Sequence, residues 1–146
     1  MDMFRKLIVP TWRPTLCATR NFCCPDQVSK LVGFPEIKMG VGKLKYILAK
    51  VYIHGEEAHA KTVIRAVSSA KYHLKIYDAL RKEAATKNLC TQCLGGGTID
   101  HNLEKRFIKI SGHSQTLGRA DHDETKSILS DKYSDYKIHS ESAPSD

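Results

Sequence analysis

The 146-residue chain has no long hydrophobic run; its longest unbroken apolar stretch is the four residues Tyr46 to Ala49, where a bilayer span needs about 20. A membrane-spanning helix is excluded and no membrane partner is expected. No run of Lys and Arg exceeds two residues, and the aromatics, 8% of the chain, do not interleave with clustered arginine. A single-strand binding platform needs that interleaving, so no nucleic-acid partner is expected. A conventional signal peptide is missing, and five cysteines cannot all pair within one chain. Both absences favour a reducing, cytoplasmic compartment. The lone Cys90-Thr91-Gln92-Cys93 lacks the second pair of a structural zinc site and the strand-to-helix turn of a redox site. It reads as two cysteines in or beside a strand, one of them buried. No internal repeat is visible.

What is present describes one globular domain. The chain is 41% hydrophobic and 27% charged, ordinary values for a soluble fold, and its length suits a single core. Lys and Arg total 23 against 16 acids, a net charge of +7, which favours anionic partners without choosing among them. Residues 1–28 stand apart: Pro10, Pro14 and Pro25 punctuate a stretch with Arg5, Lys6, Arg13 and Arg20 and no acid between Asp2 and Asp26. They read as a disordered basic extension. The same composition fits a mitochondrial presequence, but the prolines interrupt the amphipathic helix it would need. Residues 140–146 read as a polar, disordered tail, leaving 29–139 as the domain.

Within it the hydrophobic period changes repeatedly. Leu44 to Ile53 alternates and then turns nearly continuously apolar, as a central strand does. Lys61 to Val67 is rich in β-branched residues and reads as a second strand. From Ala70 apolar residues fall at 70, 74, 77, 80 and 84, a helical spacing with Ser69 available as N-cap. A short strand at Leu89–Leu94, the run Gly95-Gly96-Gly97, and a hairpin of Thr98–His101 with Arg106–Ser111 follow. A second helix starts at Asp121, whose spacing to Glu124 fits a capping box, and Tyr136–His139 returns as an edge strand. The expected fold is α+β, a single domain with a mixed five- or six-stranded sheet and two α-helices, one on each face.

His73 is the informative position. Early in the first helix it meets unpaired amides and the positive end of the macrodipole, where a neutral imidazole is favoured and an anion can be held. A lone histidine there is otherwise a surface or capping residue. The segments Lys71-Tyr72-His73-Leu74-Lys75-Ile76-Tyr77-Asp78, Cys93-Leu94-Gly95-Gly96-Gly97 and Gly112-His113-Ser114-Gln115-Thr116-Leu117-Gly118 give the motif its context. In order and spacing, over about residues 34–139, the chain resembles the phosphohistidine phosphatase family, which includes the janus and ocnus proteins, and within it ocnus most of all.

The resemblance implies a metal-independent phosphatase acting on phosphohistidine, and sometimes phospholysine, in proteins. No cofactor would be needed, the partners would be phosphohistidine-containing proteins, and the chain would be a monomer. His73 would be the catalytic proton acceptor. Lys45 would contact phosphate, and Ser114, Gln115 and Thr116 would form the substrate-binding loop whose amides cradle it. Arg65 matches a family arginine, expected to support that loop or to pair with a carboxylate. The glycine run lacks the Lys-Ser/Thr of a phosphate loop, so it is expected to serve backbone geometry. Three departures border the pocket: Thr98 where family phosphatases carry arginine, Ala66 for glycine, and His113 for tyrosine. The family branch is associated with sexual differentiation and male reproductive tissue. A catalytically weak phosphoprotein-binding module is therefore the alternative reading, and charge-driven nucleic-acid association a third. His101, His113 and His122 lack tight ligand spacing, so no metal is expected.

Overall fold

Strand β2, Gly42–Ile53, is the centre of the molecule because its two alternating sets of side chains are both apolar. Ile47, Ala49, Val51 and Ile53 enter one buried cluster, and Leu44, Tyr46 and Leu48 enter another on the opposite face. A strand covered on both sides must read as nearly continuously hydrophobic, as this one does. The computed structural model describes residues 25–142. The sheet has six strands in the order β1-β3-β2-β4-β5-β6, with β1 Ile37–Met39, β3 Lys61–Val67, β4 Leu89–Asn102, β5 Phe107–Ser111 and β6 Lys137–Ser140. The outer pairs β1/β3 and β5/β6 are parallel and the inner pairs antiparallel.

Helix α2, His73–Ala85, covers the first face through Ile76, Leu80 and Ala84. Helix α3, His122–Lys132, covers the second through Leu129. The expected α+β domain, with a mixed sheet and a helix on each face, is the fold observed.

Some boundaries differ. A third helix, α1, spans Pro25–Val32 and packs Leu31 beside α2, so two helices was one too few. Proline is tolerated in a first turn, where its missing N–H has no partner to lose. The helix starts inside the stretch assigned to a disordered extension; the rest of that assignment, residues 1–24, lies outside the described residues. At the other end Ser140 closes β6, and the tail assigned to 140–146 is described only to Ser142. The two strands expected on either side of the glycines are one, β4, which crosses them with a bulge opposite Leu48 and Ala49. No helix among the described residues is long and apolar enough to cross a membrane.

Candidate functional site

Three adjacent glycines in β4 are needed for three different reasons. Gly95 has φ +144°, and a Cβ there would lie 2.6 Å from the Arg119–Ala120 backbone. A Cβ on Gly97 would stand 2.8 Å from the Tyr46 ring and 3.0 Å from His122. On the opposite face, a Cβ on Gly96 would come within 2.9 Å of His73 Cδ2 and 3.2 Å of Ser114 Cβ. The imidazole and the serine therefore converge on the same bare patch of β4. The expected role of the run, close backbone approach, is what the structure contains.

His73 lies at the very start of α2. The N-cap is Tyr72, in extended conformation and without a side-chain cap bond; the expected Ser69 cap, with His73 as fourth residue, is not found. Ala70 packs against the α2-face core, and the Lys45 ammonium bonds the carbonyl of Lys71. These contacts hold residues 70–72 off the helix axis. The His73 and Leu74 amides thus belong to the first turn, which has no intrahelical acceptor for them. The half-buried ring donates Nε2–H to the Gly97 carbonyl at 2.8 Å. A carbonyl only accepts, so in the neutral ring the free lone pair is on Nδ1.

Lys45 stands on β2 directly across from Thr98 of β4, the residue next to Gly97 and two along from Gly96. Its ammonium closes the side of the cup towards the start of α2. The loop 113–118 closes the other. Ser114 is 2% exposed, and its N–H and C=O pair with Gly118 at 3.1 and 3.0 Å. Its hydroxyl accepts from Leu117 N–H at 3.1 Å, while Leu117 packs into the α2-face core. Gly118 O also accepts from Gly96 N–H at 3.1 Å, which stitches the loop to the sheet. Ser114 thus spends its amide and hydroxyl on loop closure. The exposed amides of Gln115 and Thr116 have no acceptor among the described residues.

The remaining candidates are placed elsewhere. Arg65, 5% exposed, does not reach the loop. Its guanidinium donates to Pro35 O at 2.8 Å and lies 3.6 Å from the Glu83 carboxylate, so of its two expected roles it takes the carboxylate pairing. Burial raises the Glu83 pKa, but the Lys38 hydrogen bond and the Arg65 charge outweigh it and hold the carboxyl below its ordinary value. His101 donates to Gly40 O at 2.8 Å and packs edge-on against Tyr133. His122 donates to Gly112 O at 2.9 Å and accepts from the Tyr46 hydroxyl at 2.6 Å. His113 is exposed. Among the described residues no group of three His, Cys, Asp or Glu is arranged to hold a metal ion, and Cys90 and Cys93 are free and half-buried.

Sequence reasoning missed the anchors of the loop. Glu141 accepts from Gly112 N–H at 3.1 Å, a bond that, with nearby positive charge, lowers its pKa. Arg119 binds the carbonyls of Glu141 and Ser142 at 2.8 and 3.0 Å. The tail thereby ties both ends of the loop. Nothing in the spacing of these residues announces pairing over 22 or more positions.

Fold and site together define a small α+β protein with one imidazole, one ammonium and a pair of free loop amides around a shared cup. A family model described as the Janus/Ocnus family (Ocnus) matches residues 31–137, and the chain belongs to that family. It is 43% identical over 121 residues to the sex-regulated protein janus-B of Drosophila pseudoobscura pseudoobscura, which spans 82% of this chain and 84% of that protein. To janus-B of Drosophila melanogaster it is 32% identical over 140 residues, 94% of this chain and 97% of the relative.

Proposed function

We propose that the protein hydrolyses phosphohistidine in protein substrates and does so in sex-related development, a reading supported by the name of its relatives, sex-regulated protein janus-B. The observation that carries the reading is the His73 ring, pinned through Nε2 to Gly97 O beside Ser114. Nδ1 is left as the one lone pair. In the proposed reaction a phosphoryl group sits between the Lys45 ammonium and the amides of Gln115 and Thr116. Water attacks phosphorus in line as the P–N bond breaks; Nδ1 of His73 takes the water proton, and the substrate ring, already protonated on its other nitrogen, leaves as neutral imidazole. Fixed N–H groups and one ammonium supply charge stabilisation without reorganising.

The test is phosphate release from a phosphohistidine peptide. His73→Ala should lower the rate by about a hundredfold or more; equal release by variant and parent removes the reading. A second reading, a phosphoprotein-binding module without turnover, is favoured by Thr98, because it faces Lys45 where an arginine would strengthen the positive rim. Phosphopeptide binding with no release by the parent protein would select it. Where the parent protein does release phosphate, Thr98→Arg should raise turnover by about tenfold, since an added guanidinium offers two parallel donors to phosphoryl oxygens.

A further inference from the structure

Helix α2 covers only part of its face of the sheet, packing on β2, β3 and the first half of β4. Beyond His73 the same face continues uncovered by any helix among the described residues. The register aligns its side chains in rows: Lys45, Thr98 and Ser111, then Lys43, Asp100, Lys109 and His139, then Phe107 and Lys137. Lys43, Lys109, Lys137 and His139 are exposed. Lys43 and Lys109 flank Asp100 from both sides and outnumber it. Neither they nor Lys137 has an ion-pair partner among the described residues. A surface on which exposed cations outnumber the acids Asp100 and Glu141, the latter within reach of the Lys109 charge, laid on rigid strands, is a site for an anionic partner.

We infer that this bare sheet face docks an acidic protein segment, whose Asp or Glu side chains lie on Lys43, Lys109 and Lys137 while the neighbouring residue enters the His73 cup. The inference rests on the proposed function for what enters the cup, whereas the docking itself does not. Rows on a strand are about 7 Å apart, so an extended segment places its acids roughly two to four residues from the group at His73. The basic stretch at residues 1–24, with Arg5, Lys6, Arg13 and Arg20 against Asp2, has the wrong sign to be the occupant. Nucleic acid is disfavoured because the rows contain no arginine. Their aromatic, Phe107, is half-buried and already packed on His139 at 5.4 Å between centroids, so it offers bases no open stacking surface.

The test is fluorescence anisotropy with three labelled unphosphorylated peptides: alternating Glu and Ser, alternating Lys and Ser, and Ser alone. The expected result is salt-sensitive binding of the glutamate peptide alone. The double variant Lys43→Glu/Lys109→Glu should weaken it about tenfold, Lys43→Gln/Lys109→Gln less, and Lys126→Glu, exposed on α3 across the sheet, not at all. Lys43 and Lys109 are exposed, so unchanged thermal unfolding should verify folding of both doubles. Equal affinity for parent and double variants overturns the inference, as does tighter binding of oligothymidylate or phosphatidylserine vesicles than of the glutamate peptide. On phosphohistidine peptides an acidic flank should lower KM and leave kcat unchanged. Absence of phosphate release from every peptide, with glutamate-peptide binding intact, removes the catalytic reading and upholds the docking face.

Discussion

At the scale of single residues, Gly96 carries the sharpest prediction, because the space it leaves open is occupied by the residue proposed to react. A methyl at that position would meet His73 Cδ2 and Tyr46 O at 2.9 Å each. Tyr46 O belongs to a buried central strand that cannot retreat, so the ring must move. Gly96→Ala should cost about 1–3 kcal/mol of stability by overpacking. Turnover should fall more steeply, by about a hundredfold, because a catalytic group displaced by about an ångström loses its alignment. Gly55→Ala is the control: φ there is +84°, but nothing lies within 4 Å of the added methyl. It should cost about 1 kcal/mol through backbone strain and leave phosphate release from the phosphohistidine peptide as it was. Urea unfolding and the release assay on both variants separate local strain from displacement of the imidazole.

At the scale of elements, α3 shows what local chemistry fixes. Asp121 accepts from the amides of Asp123 and Glu124 at 3.0 and 3.1 Å, as the sequence predicts. Asp121→Ala should cost about 1 kcal/mol and lower the melting temperature by about 3–5 °C. The reciprocal half of the box is absent, because the Glu124 carboxylate accepts from the Thr62 hydroxyl at 3.1 Å instead. That contact crosses 62 positions, and no four-residue pattern contains it. The other discrepancies have the same origin. The start of α2 shifts from Ser69 to Tyr72 because Lys45, 26 positions away, takes the Lys71 carbonyl. Strand β1 has three residues and exists through parallel pairing with β3, so it is too short to show a period. The longer strands and helices with a full amphipathic repeat were legible, whereas the eight-residue α1 was not. Of the site, His73 was marked by its place early in a periodic helix, its role together with Lys45 and the loop came from resemblance, and the anchors Glu141 and Arg119 came from neither.

At the scale of the whole molecule, the Tyr46–His122 pair joins the sheet, α3 and the root of the loop at Gly112, and both its members prefer to be neutral. Burial is the leading cause in each. It raises the Tyr46 hydroxyl from 10.0 to about 12 and lowers His122 from 6.5, against an opposing pull from the Gly112 carbonyl. For His122 the unfolded chain binds more protons between the two values, so stability rises with pH through that window. Its contribution is complete above about 6.5 and is lost as the pH falls below that. For Tyr46 the sign reverses: its contribution is complete below about 10 and fades as the hydroxyl ionises in the unfolded chain. Glu83 and Glu141 are depressed from 4.5, so their contributions fade only in more acidic solution. Burial also raises the Cys93 thiol from 9.0, so urea midpoints should be flat between about pH 7 and pH 8 and decline towards about pH 5.5. His122→Gln keeps one donor for Gly112 and one acceptor for Tyr46 but does not titrate. It should flatten the acid limb while leaving the alkaline one. An acid limb of unchanged slope in that variant would assign the decline to groups other than His122.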